Sequence, residues 1–512
     1  MSETNSDLQR AYSARARWMR RFWILFGLSV IVPVVVALAL ASRFLADVPV
    51  TYDKIEDHFK YGSTGGERAS GFPYWIWRVL PQICPQYLPG PGYASLGMLY
   101  EEGKSEAQGG LPVGVSRRRN LGLDRVFFNC AVCHSNTVRE RPDSAAKMYL
   151  GSPASGFNLG GFESFYTNCA ADPKFSTAFI VPEIEAQAGK LSMLDHYIVY
   201  PVAIALMRER LLMLRDRFKF RDRQPDWGPG RVDTFSASKI LFNFPMDKLP
   251  KEEWVGTADF PSIWNQGPRR KRADGQQMQL HWDGNQDHME ERNKNAAFGT
   301  GTLPPTIDLA AIGRVEAWIT ELRAPAYPFP VNEELAARGA PIYAEYCSAC
   351  HGASGSDFSG DKVGFVTPIE AIGTDRARLD SFTYDLVGNL STLYAGYPWR
   401  FQHFRKTYGY ANMPLDGIWL RAPYLHNGSV PSLRDLLEPA RKRPSRFYRG
   451  YDVFDQKNLG FVSNVADEKG RKFFLYDTSL SGNSNRGHEG KAYGTDLSDA
   501  DKTALVEYLK KF

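Results

Sequence analysis

The chain has 512 residues, more than one typical domain, which points to two or three. Hydrophobic residues make up 43% and charged residues 23%, which excludes a disordered chain. A formal charge of +5 over this length gives no basis for nucleic acid as a partner.

The first predicted element is a membrane-spanning helix. Phe22 to Ala41 (FWILFGLSVIVPVVVALALA) carries no charge, and about twenty helical residues span roughly 30 Å, the thickness of a bilayer core. Arg10, Arg15, Arg17, Arg20 and Arg21 precede it, and only Arg43 follows before Asp47. The positive-inside rule therefore makes 1–21 a cytoplasmic basic segment and 22–42 a single-pass anchor in a bacterial inner membrane, with the bulk of the chain in the periplasm. Trp18 and Trp23 flank the helix as interfacial anchors, and Pro33 is tolerated in such a helix. A cleaved signal peptide is the competing reading, because Ala39-Leu40-Ala41 resembles a small-residue cleavage site. The apolar run is longer than the usual signal core, which favours a retained anchor.

Residues 43–95 read as an irregular segment, rich in Gly, Pro and aromatics, that wraps the domain after it. That domain covers 96–325 and carries Cys130-Ala131-Val132-Cys133-His134. The C-x-x-C-H spacing is the signature of covalent c-type haem attachment. Its two thiols add to the porphyrin vinyls, and its histidine lies under the iron as proximal ligand. Cys347-Ser348-Ala349-Cys350-His351 repeats the pattern. A lone C-x-x-C would suggest structural zinc, but two complete motifs in a chain of six cysteines predict two covalently bound c-type haems. The remaining Cys84 and Cys169 fit one disulfide in an oxidising compartment or two free buried thiols.

Ile204, Met207, Leu211, Leu214 and Phe218 recur at helical spacing, so 202–218 is a predicted amphipathic helix started by Pro201. Ile312, Val315, Ile319 and Leu322 make a second stripe, closed by Pro325. Ala324 to Pro330 (APAYPFP) is a proline-rich joint and the predicted domain boundary. The second domain, 326–512, reads as a small cytochrome c. A helix with Leu335, Ile342, Tyr343 and Tyr346 leads into Cys347, although Pro341 interrupts it. A last helix starts at the capping-box-like Ser498-Asp499-Ala500-Asp501 and carries Ala504, Leu505, Tyr508 and Leu509. No strand pattern is long enough for a major sheet. The predicted class is mainly α: two cytochrome c-like haem domains with extensive loops, preceded by one transmembrane helix.

The second axial position of each iron separates electron transfer from catalysis. For the second haem the candidates are Met413, His426 and His488; Met413 follows His351 at a spacing that suits a small cytochrome c. For the first haem, His196, His281 and His288 lie downstream, none in a motif that argues for ligation.

Leu415 to Leu437 (LDGIWLRAPYLHNGSVPSLRDLL) resembles the signature of the bacterial dihaem cytochrome c peroxidase superfamily. His281-Trp282-Asp283-Gly284-Asn285, Glu291-Arg292-Asn293 and Gly487-His488-Glu489 bring the likeness to the rubber oxygenase branch, over roughly residues 50–512. The resemblance implies that His134 is proximal at a catalytic N-terminal haem with an open distal face. It implies that His351 and His488 ligate the C-terminal haem, that Trp282 bridges the two haems and that Phe298 lines the distal pocket. His426 would then serve as a propionate or backbone partner, and Met413 would lose its claim as ligand. Rubber oxygenases are longer and secreted, so polyisoprene does not carry over as substrate.

The expectation is a periplasm-facing dihaem oxidoreductase. Its first haem activates dioxygen or hydrogen peroxide, and its second relays or stores electrons from a periplasmic or membrane donor. Aromatic pocket walls favour oxygenase-type chemistry on a small apolar substrate. A peroxidase needs a polar distal group, for which Gln286, Glu290 and Glu291 stand near Trp282. Arg269-Arg270-Lys271-Arg272 could neutralise haem propionates, dock an anionic partner or form a solvated loop. The alternative function is a non-catalytic, membrane-tethered dihaem electron-transfer cytochrome.

Overall fold

A computed structural model describes residues 2–512; Met1, the first residue of the predicted basic segment, lies outside the described residues. Ser2–Leu45 forms one helix that passes Pro33 without a break. Among the described residues it is the one helix long and apolar enough to cross a membrane, a property that membrane anchors and signal sequences share.

Four short strands follow in an antiparallel sheet: β1 (Asp47–Pro49), β2 (Phe72–Pro73), β3 (Val115–Asn120) and β4 (Leu123–Phe128), in the order β1-β3-β4-β2. β3 and β4 form a hairpin that pairs Asn120 with Leu123. Leu121 and Gly122 make its turn, both at positive φ (53° and 75°), as the twist of a two-residue hairpin requires. Six two-stranded ribbons occur elsewhere among the described residues. The mainly helical expectation is thus corrected to a mixed helix and sheet fold. Strands this short give no alternation that a sequence window can detect.

The 43–95 segment also departs from expectation, since it contains helices at Ile55–Tyr61, Gly66–Ser70 and Tyr74–Ile83. Prolines and aromatics hide their periodicity: Pro73 precedes the last of these helices and Pro81 sits within it. Ile76, Trp77 and Leu80 bury against Phe162, Phe165 and Tyr166 of the helix Leu159–Ala171. Cys84 and Cys169 close this packing as a disulfide, with Cα atoms 5.7 Å apart, which settles the open alternative.

The predicted 202–218 helix runs Tyr200–Arg217 and buries Ile204, Met207 and Leu211. The second stripe is the helix Leu309–Glu321, capped by Asp308, whose Oδ1 accepts from the Ala311 amide at 3.0 Å. Glu333–Tyr346 leads into the second C-x-x-C-H motif, and Pro341 does not stop it. This helix crosses the closing helix Asp499–Leu509 at Gly339, where a Cβ would meet the Ala504 carbonyl oxygen at 2.1 Å. Only glycine permits that crossing. The proline-rich joint is not a free linker: Ala324, Tyr327 and Phe329 pack on a core containing Trp264, Tyr343, Trp419 and Leu505. The Trp419 indole N–H also donates to the Pro325 carbonyl at 2.8 Å.

Candidate haem centres

β4 delivers the first motif. Asn129 follows it, accepts from the Ala131 amide at 3.0 Å and donates to the Gly62 carbonyl at 2.9 Å, so a single tight turn, Cys130–Val132, places both thiols. The His134 Nδ1 lies 2.9 Å from the Pro261 carbonyl. A carbonyl only accepts, so Nδ1 carries the proton and Nε2 keeps its lone pair, the tautomer of a metal-ligating histidine. Burial, reinforced by the charge of Arg292, pushes the His134 pKa down to about 3, which keeps the ring neutral.

The second motif repeats this design. The His351 Nδ1 donates to the Met413 carbonyl at 2.7 Å, and burial lowers its pKa. The His488 ring centre lies 6.2 Å from that of His351. Two imidazole nitrogens each about 2.0 Å from one metal, with ~1.1 Å from nitrogen to ring centre, separate ring centres by roughly 6 Å. His488 Nδ1 is buried without a partner. Its loop is built to hold it: His488 has a φ of 48°, Gly487 one of 79°, and the His488 amide donates to Ile372 at 2.7 Å. The Arg443 guanidinium donates to the carbonyls of Gly487 (2.9 Å) and His488 (3.2 Å), and also to that of Asn485. Among the described residues no second ring faces His134 in this way.

A small cavity of about 60 Å³ is lined by Trp282, His281, and Pro261 and Met413, whose carbonyls accept from His134 and His351. The Trp282 indole N–H donates to the Asp259 carbonyl at 2.8 Å, two residues before Pro261. Trp282 is thereby fixed beside the supports of both histidines. Arg269, Arg292 and Arg421 also line this cavity. Asp416, fully buried, pairs with Arg269 and Arg421 at 2.5 Å each, whereas Arg292 has no carboxylate partner among the described residues. Asp259 also lines the cavity but is paired with Arg449 and Arg231, so three guanidiniums against Asp416 leave an excess of positive charge that suits haem propionates. Cys130, Cys133, Cys347 and Cys350 are free, and each pair adjoins a histidine with a bare Nε2, so the donor sets suit a c-type haem.

The other sequence candidates are dispersed. Phe298 is buried on the helix Met289–Gly299 and stacks on Phe242 with centroids 6.4 Å apart. His426 is buried, and its Nε2 lies 2.9 Å from the Tyr410 hydroxyl. Met413 contributes its carbonyl to the proximal side of His351. His196 pairs with Glu185, and His288 with Asp287. Glu291 accepts from His403 and Gln286, and Glu290 pairs with Arg270. Of the basic run, only Arg269 reaches the cavity; Arg270 and Arg272 form outer ion pairs. Sequence reasoning missed Arg292, Asp416, Arg421 and Arg443 as site residues, although the first three stand inside the segments that carried the resemblance.

Residues 409–448 match the family model described as RoxA-like, cytochrome c-like. That span holds Met413, Asp416, Arg421, His426 and Arg443. The uncharacterized protein y4iJ of Sinorhizobium fredii is 26% identical over 96% of this chain and 99% of its own length. The uncharacterized protein y4iM of the same organism is 30% identical over 56% of this chain and 71% of its own length. The chain therefore belongs to the same family as y4iM and carries in its C-terminal part a domain that relates it to RoxA-like cytochromes c.

Proposed function

We propose that the chain is a membrane-anchored, periplasm-facing dihaem c-type oxidoreductase that activates dioxygen or hydrogen peroxide at the His134 centre. The His351 centre acts as electron relay or store. The observation that carries this reading is the asymmetry of the two histidines: His351 has His488 opposite it at 6.2 Å, and His134 has no such partner among the described residues. A c-type haem with one free axial face supplies a binding place for a small oxidant and one-electron chemistry beneath it.

The chain's own residues do the rest. The Pro261 and Met413 carbonyls hold each proximal ring in one tautomer. Arg292, Arg269 and Arg421 supply the excess positive charge that would meet haem propionates. Trp282, a flat and oxidisable side chain tied to Asp259, stands where electrons pass between the centres. Phe298, stacked on Phe242, would form the apolar wall of the distal pocket. Gln286, Glu290 and Glu291 are all committed to other partners, which favours oxygenase-type chemistry over peroxidase-type acid–base assistance.

Electron paramagnetic resonance of the full-length holoprotein, with azide and cyanide titrations, tests the reading. The expected result is one low-spin centre that ignores added ligands and one that binds them. Two inert low-spin centres would instead establish the pure electron-transfer cytochrome.

A further inference from the structure

A cavity of about 1130 Å³, lined by none of the residues of the space beside Trp282, exceeds the ~300–1,000 Å³ of ordinary small-molecule sites. It lies between the helix Tyr200–Arg217 and the β3–β4 sheet. Phe44, the penultimate residue of the N-terminal helix, lines one part of it. That helix end is pinned in place: Arg43 pairs with Asp195 and donates to the Gly122 carbonyl at 3.2 Å, and Phe44 packs on Gly122. The same helix end therefore leads from the apolar run to the cavity.

The helix Tyr200–Arg217 is apolar on two sides. One stripe, Ile204, Met207 and Leu211, is core. The other begins at Ile198, in the turn just before the helix, and continues through Val202 and Leu206, exposed by 56%, 53% and 61%. Ile198, Val202 and Leu206 line the cavity together with Phe44 of the N-terminal helix. Arg125 and Arg210 line it as well. Each donates to a main-chain carbonyl, Gly71 and Ala69 respectively, and neither has a carboxylate partner among the described residues. Other lining residues are Gly299, adjacent to Phe298, and Leu241, adjacent to the Phe242 that stacks on Phe298.

We infer that this cavity is a binding site for a long-chain amphiphile with an anionic head, drawn from the bilayer beside the anchor. Its tail lies between the Val202–Leu206 stripe and the sheet, and its head meets Arg125 and Arg210. The site places such a molecule against the outer side of the Phe298–Phe242 wall. The inference rests on the anchor reading of the N-terminal helix, and not on the reaction proposed above.

The test uses the full-length holoprotein in detergent, with spin-labelled stearate as probe and stearyl alcohol and phosphatidylglycerol as competitors. The expected result is one saturable, immobilised population. Arg210→Gln and Val202→Trp, the first removing charge and the second filling the mouth, should each weaken it about tenfold with unchanged haem spectra. Stearyl alcohol should compete at least tenfold more weakly than stearate. Competition by phosphatidylglycerol identifies a phospholipid as occupant, and its absence a free fatty acid. No immobilised probe, or equal competition by the alcohol, or full affinity in both variants, overturns the inference. Alkaline carbonate washing of membranes separates the two claims: a chain released by the wash that still binds stearate refutes the anchor alone, and a retained chain that binds none refutes the cavity alone.

Discussion

Arg443 offers the sharpest test of how the second centre is held. Its guanidinium donates to five backbone carbonyls, those of Leu436, Glu438, Asn485, Gly487 and His488. Two of these belong to the turn that presents the His488 ring, and that turn includes His488 itself at a φ of 48°. A non-glycine residue in this left-handed region costs on the order of 1 kcal/mol or more, so the turn needs an external hold. Hydrogen bonds from a charged donor contribute about 1.5–3 kcal/mol each. Arg443→Met removes the bonds to Gly487 and His488, and water restores only part of what is lost. A net weakening of about 3 kcal/mol is expected, which is a shift of more than a hundredfold in the equilibrium that keeps His488 opposite His351. In the holoprotein the second haem should turn largely high-spin although both histidines are intact, read by electron paramagnetic resonance and by the visible spectrum. His488→Ala sets the fully detached reference, and Arg443→Lys, with fewer donors, should fall between. A fully low-spin Arg443→Met protein would refute the argument, because the turn would then hold without its clamp.

Three further outcomes are expected. Trp282→Phe keeps the ring packing but loses the indole bond to Asp259; electron exchange between the centres should slow at least tenfold with both haem spectra unchanged, and an unchanged rate removes the bridge. Asp416→Asn leaves Arg269 and Arg421 without a counter-charge in a buried site and should lower stability by about 3–5 kcal/mol in urea titrations, with a loss under 1 kcal/mol counting against the cluster. Burial raises the Glu101 carboxyl, but bonds from Lys104, Lys60 and Tyr61 outweigh this and hold it at about 2. Its folded value lies below the unfolded value of ~4.3, so its contribution is present above that pH and is lost as pH falls toward 2. The stability gap between the native chain and Glu101→Gln should therefore be constant above about pH 5 and close on acidification, whereas a gap that widens in acid contradicts the assignment.

The attachment motifs were legible because covalent chemistry fixes their spacing, and the apolar helices because their stripes repeat over three or more turns. His488 stood out only through its neighbours Gly487 and Glu489; the structure places it opposite His351, and the glycine's positive φ gives that placement a backbone reason. Other parts of the site leave no letter to read. Pro261 and Met413 each supply a main-chain carbonyl, which every residue has, so Met413 looked like a sulfur ligand at a suitable spacing. Asp416 meets Arg269 across 147 positions, and such a pairing has no local pattern. The β3–β4 hairpin was missed because an arginine-rich strand facing a short apolar one shows no clean alternation.

The packed joint at 324–330 bears on how electrons travel. Tyr327 and Phe329 sit against Trp419 and Phe454, with Trp264 from the earlier sequence in the same core. No slack hinge separates the halves of the chain, so the distance from His134 to His351 is set by side-chain packing and not by a swinging linker. In the dihaem protein proposed above, transfer between the centres would then be ungated: its rate should not change with solvent viscosity, and crosslinking the exterior should leave it intact. Proteolysis meets only part of that barrier: Pro325 is half-buried, its carbonyl held by the Trp419 indole, whereas Pro328 and Pro330 are exposed.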